Sequence, residues 1–213
     1  MRNDRNTIFR IFLTAFLLTL AVLVVAYAGM SDRIKSKNEL LNFKNATASS
    51  VMSEDGQLLG KYFYENRTNI SFDQLPEHLV DALIATEDVR FYDHHGTDAR
   101  SFLRVLFKSL LMNDRSSGGG STITQQLAKN MFGRASGGFM ALLSNKISEL
   151  IMARRIEKVY TKNEILTLYL NTVAFGENVF GIEAASARFF NKSTVDLSIG
   201  ESAVLVGMLK ANT

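Results

Sequence analysis

The chain has 213 residues, 46% hydrophobic and 21% charged, with one Pro, three His and no Cys. That length suits one globular domain, or one domain plus an anchor, and the composition disfavours wholesale disorder and a polytopic transporter alike. Without cysteine there are no disulfide scaffolds, zinc fingers, thiol nucleophiles or iron–sulfur sites; the formal net charge of +3 suits an anionic membrane surface or a phosphate-bearing substrate better than nucleic acid.

Residues 1–10 form a short basic tail, and residues 11–30 run without a charge. At 1.5 Å per residue that run matches a hydrocarbon core about 30 Å thick, so a transmembrane anchor is predicted. A cleaved signal peptide is the rival, because Arg2, Arg5 and Arg10 precede the run and Ala26-Tyr27-Ala28 has a small-x-small cleavage pattern. The run exceeds the roughly 7 to 15 residues of a signal core, which favours the uncleaved anchor. Arg33, Lys35, Lys37 and Lys44 follow it, so basic residues flank both ends and the positive-inside rule leaves orientation open. Residues 31–48 read as a polar stalk. Residues 49–53 and 57–64 alternate around Glu54-Asp55-Gly56, predicting a hairpin, with a third extended piece near 67–72.

After Pro76 the pattern is helical, over 76–88, 98–112, 122–132, 139–160, 162–171, 179–190 and 198–210. Capping boxes start three of these at Thr122-x-x-Gln125, Thr161-x-x-Glu164 and Ser198-x-x-Glu201. The expected body, residues 49–213, is therefore mainly α with a small N-terminal β-hairpin. Helix 98–112 is apolar around most of its circumference, with Arg100, Arg104 and Lys108 as a basic strip. It fits a core helix and a helix lying in the bilayer interface equally well.

Three segments carry candidate chemistry. In helix 76–88 the apolar stripe Leu79, Val80, Leu83 and Ile84 continues into Glu87 and Asp88. Burial favours the neutral form of a carboxyl and suits it to proton transfer; the alternative is that the helix ends there and both acids face water. His94, in the tight FYDHHG turn, is expected to position that loop. Next, a glycine run at 118–120 precedes a helix start, offering backbone N–H groups and the positive end of a helix dipole to an anion, with Thr122, Gln126 and Lys129 on one face and Asn130 beside them. It lacks the spacing of a P-loop, and a plain linker is the rival. In helix 139–160, Leu143, Ile147, Leu150 and Ile151 form the expected core stripe. Lys146 and Glu149 stand beside it at i, i+3, an arrangement a surface ion pair would also give.

Taken together, Glu87-Asp88-x-x-Phe91-x-x-His94-x-Gly96-x-Asp98, GGSTITQQLAKN at 119–130, Lys146-x-x-Glu149, YLNTVAFGENVFGIEAASARFFNK at 169–192 and LSIGESAVLVGMLKA at 197–211 resemble one family over about residues 50–213. It is the peptidoglycan glycosyltransferase domain of class A penicillin-binding proteins, the family 51 transglycosylases. The resemblance implies a lysozyme-like helical fold, tethered by one transmembrane helix on the outer side of the bacterial cytoplasmic membrane. It implies polymerisation of lipid II into β-1,4-linked glycan strands, by inverting transfer with release of undecaprenyl diphosphate, in cell-wall synthesis. By motif position Glu87 would be the general base, tuned by Asp88, and Glu149 with Lys146 the second acidic site and its cation. Phe91, His94, Thr122, Gln126, Lys129 and Asn130 complete the implied substrate-binding set.

Partners implied are lipid II, the growing glycan, the membrane and proteins of a wall-synthesis complex, without nucleic acid. No protein-bound metal is expected, although Mg or Mn bridging the substrate diphosphate is compatible chemistry. Two departures from the family pattern stand out. Asn145 occupies the place of an arginine before Lys146, a charge that Arg134 or Arg154 would have to supply. The chain also stops at Thr213 with no Ser-x-x-Lys or Lys-[Ser/Thr]-Gly, so a C-terminally truncated domain without transpeptidase activity is expected. A lysozyme-type muramidase and a catalytically silent scaffold are the rival readings.

Overall fold

The computed structural model describes residues 2–29, 34–43, 49–55, 57–62, 66–101, 103–104 and 120–211. Its first element, α1 (Arg2–Ala28), is one continuous helix of 27 residues whose Phe12, Phe16, Leu18 and Val25 side chains are exposed. Counted over the described side chains alone, no helix is long and apolar enough to cross a membrane.

The segment expected as a stalk is partly docked. A Ser36–Glu39 capping box starts the short helix α2 (Lys37–Leu41), which inserts Leu40 fully into the core. Arg155 Nη1 donates to the Lys35 carbonyl at 2.7 Å, and the Tyr160 hydroxyl donates to the Leu40 carbonyl. The expected hairpin is present as β1 (Ser49–Met52) and β2 (Leu58–Tyr62), antiparallel, with a register irregularity between Val51 and Met52. The third extended piece is only β3 (Asn66–Arg67), and a 3-10 turn at Phe72–Gln74 replaces the rest.

The body is helical: α3 (Glu77–Glu87), α4 (Ile123–Phe132), α5 (Phe139–Ile156), α6 (Lys162–Thr172), α7 (Ile182–Phe190) and α8 (Ile199–Ala211). This mainly helical architecture is consistent with a lysozyme-like domain. Of the expected helix 98–112, residues 99–101 and 103–104 are helical, Asp98 precedes the helix, and 102 and 105–112 lie outside the described residues. The stretch expected as helix 179–190 opens instead as β4 (Val179–Phe180), paired parallel to β3. The chain then turns at Gly181, whose φ of +83° favours glycine and where a Cβ would stand a tight 3.0 Å from the Asn171 carbonyl oxygen. α4 packs on α5 and α6, α3 packs on α8, and α1 touches α5. The core runs through Leu79, Leu83, Leu127, Met152, Ile165 and Leu205.

Candidate active site

At the end of α3 the buried stripe of Leu79, Val80 and Leu83 continues into Asp88, only 7% exposed, while Glu87 is half-buried. The carboxylate of Asp88 accepts hydrogen bonds from His94 Nε2 at 2.9 and 3.1 Å and from the Ile123 amide at 3.1 Å. The first amide of α4, expected to await a substrate anion, is thus satisfied by an acid of the protein itself. Thr122 is likewise turned inward: its hydroxyl caps α4 by accepting from the Gln125 amide at 3.2 Å and donates to the Gly96 carbonyl at 2.8 Å. Asp88 and Thr122 line the cavity at Glu87 while their polar atoms are partnered within the protein, because a helix start inside the protein must have its free amides partnered.

The loop that follows is built by packing. Phe91 is fully buried, edge-on to His94, with Lys162 Nζ 4.3 Å from its ring centre. The Lys162 ammonium also donates to the His94 carbonyl at 2.7 Å. His94 is buried and its Nδ1 has no partner among the described residues. Phe91 and His94, implied as substrate contacts, therefore hold the loop from within. Gly96, at φ +84°, passes 2.7 Å from the Ala153 carbonyl measured from where a Cβ would stand. Asp98 accepts from Arg90 Nε at 3.0 Å and from Nη2 at 2.8 and 2.7 Å. Burial pushes the Asp98 carboxyl up, but the hydrogen bonds from Arg90 and Ser101 outweigh it and hold its pKa at about 2.

Glu87 opens on a cavity of about 400 Å³ lined also by Arg90, Ser101, Arg104 and Ser121. Gln126 Nε2 donates to Glu87 Oε2 at 2.7 Å, and the Tyr169 hydroxyl donates to Gln126 Oε1 at 3.0 Å. Tyr169 therefore fixes the amide so that its N–H₂ faces the acid. Burial pushes the Tyr169 hydroxyl far up, and the charge of Glu87 adds to it, so the phenol stays a donor.

The second cluster sits on α5. The buried Glu149 receives Arg134 Nε on Oε1 at 2.7 Å and lies 3.5 Å from Lys146 Nζ through Oε2. Lys146 also donates to Ser121 Oγ and Gln125 Oε1, both at 2.8 Å. Burial pushes the Lys146 ammonium below its ordinary value; Glu149 raises it and Arg134 lowers it again. The expected core stripe of this helix is displaced: the buried face is polar in the first half of α5 and carries Met152, Ala153 and Ile156 in the second. Ser144, Asn145, Ser148 and Glu149 are buried, whereas Leu143, Ile147, Leu150 and Ile151 line a cavity of about 550 Å³ that also touches Lys146 and Arg154. The polar face can be buried because its groups find partners in the 134–135 loop and α4.

Adjacent residues of α4 connect the two clusters: Gln126 faces Glu87 and Gln125 faces Lys146. Lys129 and Asn130 are half-buried in the last turn of α4, and neither side chain has a partner among the described residues. Sequence pattern had not marked Ser121, Gln125, Tyr169 and Arg90 for the site. Tyr169 and Gln125 do fall inside motif segments, but their contacts arise across 43 and 21 residues of separation.

Residues 55–213 match the model of the family described as Transglycosylase. The chain is 38% identical over 199 residues to penicillin-binding protein 1F of Bacillus subtilis, covering 93% of this chain and 26% of that protein. It is 38% identical over 186 residues to penicillin-binding protein 1A of Pseudomonas aeruginosa, covering 87% and 22%. With penicillin-binding protein 1A of Escherichia coli it shares 42% over 161 residues, covering 76% and 18%. The chain thus spans about a fifth to a quarter of the length of these relatives. An acid beside a glutamine, a buried acid between two cations and a family match across the residues that carry both place this chain in the transglycosylase family.

Proposed function

We propose that this chain is a peptidoglycan glycosyltransferase that polymerises lipid II into β-1,4-linked glycan and releases undecaprenyl diphosphate. The observation that carries the reading is the pairing of two polar clusters through consecutive residues of α4, one holding Glu87 in a cavity and the other a buried Glu149 between two cations.

In this reading Glu87 accepts the proton of the acceptor's 4-hydroxyl as that oxygen attacks the donor anomeric carbon. A carbon–oxygen bond forms on one face, the bond to the diphosphate breaks on the other, and the configuration inverts. Gln126 orients Glu87 by donating to Oε2, leaving Oε1 available to the hydroxyl. Lys146 and Arg134, with Lys129 and Asn130 further along α4, would meet the negative charge that develops on the departing diphosphate. Asp88, Phe91, His94 and Thr122 fix the Glu87 loop against α4, and Asp88 and Thr122 also line the Glu87 cavity. Among the described residues no cluster of His, Asp or Glu could hold a metal ion; a divalent cation would be carried by the substrate diphosphate. The apolar run of α1 would anchor the body to the cytoplasmic membrane, where the lipid substrate resides.

The test is a lipid II polymerisation assay on the full chain. Glu87→Gln should lower turnover by at least about a thousandfold with unchanged thermal stability, within the range of general-base removal together with its electrostatic role. Retained polymerisation would remove Glu87 as the base. Shortening of preformed glycan without polymer would replace the transferase by a hydrolase, and binding of lipid II without turnover would leave a scaffold.

A further inference from the structure

We propose that Asn145 is a positioning residue: it clamps the 133–138 loop so that Arg134, from outside α5, becomes the second cation beside Lys146 at Glu149. This rests on the glycosyltransferase reading for what the cations serve, and on geometry alone for how they are held.

The loop has little else to hold it. It links α4 to α5, and Gly133 and Gly137 take φ of +68° and +150°. A Cβ on Gly133 would meet nothing within 4 Å, so no packing pins the chain there. Residues 133, 134 and 136–138 are exposed, and only Ala135 is partly covered. Beneath that exposed surface, Asn145 is 4% exposed and grips Ala135 at two points: Oδ1 accepts from the Ala135 amide at 3.0 Å, and Nδ2 donates to the Ala135 carbonyl at 3.0 Å. A two-point amide clamp fixes the orientation of the peptide as well as its position, and both polar ends of the buried amide are satisfied.

Arg134 is the neighbour of the clamped residue. Its side chain is 45% exposed, so water offers its guanidinium full solvation elsewhere, yet Nε lies 2.7 Å from Glu149 Oε1. Glu149 is one helical turn beyond Asn145 on the same buried face of α5. Holding a long, half-exposed arginine in one geometry costs rotamer entropy, and a loop fixed one residue away reduces the backbone part of that cost. Glu149 then divides its two oxygens between Arg134 and Lys146, which sets the spacing of the two cations. An asparagine at 145 supplies no charge itself; it recruits a charge from the adjoining loop.

The experiment is a double-mutant cycle of Asn145→Ala and Arg134→Ala in the full chain in detergent micelles. It is read as affinity for farnesyl diphosphate by titration calorimetry and as lipid II polymerisation rate, with melting temperature recorded for each variant. Each single variant should weaken farnesyl diphosphate binding by about tenfold, and the double variant by no more than either alone, because a clamp with nothing to position contributes nothing. A purely structural Asn145 would lower binding by the same factor with or without Arg134, and that additive result overturns the proposal. Wild-type affinity in Arg134→Ala, with its folding checked by melting temperature and far-ultraviolet circular dichroism, overturns it even if Asn145→Ala fails to fold. Absence of farnesyl diphosphate binding by the unmodified chain overturns it too. A coupled cycle in a chain that makes no glycan sinks the transferase reading and leaves the clamp standing; an additive cycle in a chain that polymerises does the reverse.

Discussion

Gln126 shows how much of the proposed site depends on single atoms. Its amide would be equally stable flipped, were it not that Tyr169 presents a hydroxyl to one end and Glu87 a carboxylate to the other. Tyr169→Phe removes the donor that fixes this choice and leaves a partly buried amide oxygen unpartnered. The expected cost is about 1 kcal/mol of stability, read as a melting temperature lowered by about 2 to 4 °C, with a larger fractional loss of polymerisation rate. An unchanged rate would mean that Gln126 orients itself. Asp98 gives a second residue-level expectation. Its folded pKa of about 2 lies below the ordinary 3.8, so the ionised form is the one stabilised by folding. That stability is present in full above the unfolded value and is lost as pH falls from about 4 towards 2. Urea unfolding midpoints should drop more steeply over that window in the wild type than in Asp98→Asn; parallel curves would refute the assignment.

Between elements, the decisive contact is the passage of the Gly96 turn against α5. A side chain at 96 would need both a left-handed backbone and a space already filled by the Ala153 carbonyl at 2.7 Å. Gly96→Ala should therefore destabilise by at least about 2 kcal/mol and displace the carbonyl that receives Thr122, loosening the start of α4. A melting temperature within a degree of wild type would show that the turn can move away. α5 carries the complementary lesson. An apolar stripe normally reads as the buried face of a helix, yet here the stripe borders a cavity and the polar face is buried. Burying that face is tolerable because Arg134 and Ala135 from the preceding loop meet Glu149 and Asn145, and Gln125 of α4 holds the neighbouring Lys146.

In the molecule as a whole, the N-terminal helix α1 touches the helical body at α5. If α1 is the anchor, the full chain expressed in bacteria should stay in the membrane pellet after an alkaline carbonate wash; recovery in the supernatant would withdraw that role. Several features were legible without coordinates. Turn residues 54–56 with alternation on either side defined the hairpin, and hydroxyl–acid spacings marked the starts of α6 and α8 because a capping box is satisfied within four residues. Glu87 and Asp88 were visible as acids continuing an apolar face, and the family was visible in its ordered motifs.

The sequence by itself determined what local hydrogen bonding and periodicity control: the helices, the hairpin, the candidate acids and the uncharged N-terminal run. Only the tertiary structure decided which of the candidate groups are spent inside the protein. Asp88 takes the α4 amide, Thr122 takes the Gly96 carbonyl, and Phe91 and His94 sit in the loop's interior. It also decided that Asn145 meets Ala135 and that Arg134 meets Glu149. The reason is physical: whether a polar side chain faces a ligand or a neighbour depends on which distant backbone groups were left without partners when the helices packed, and no spacing along the chain records that.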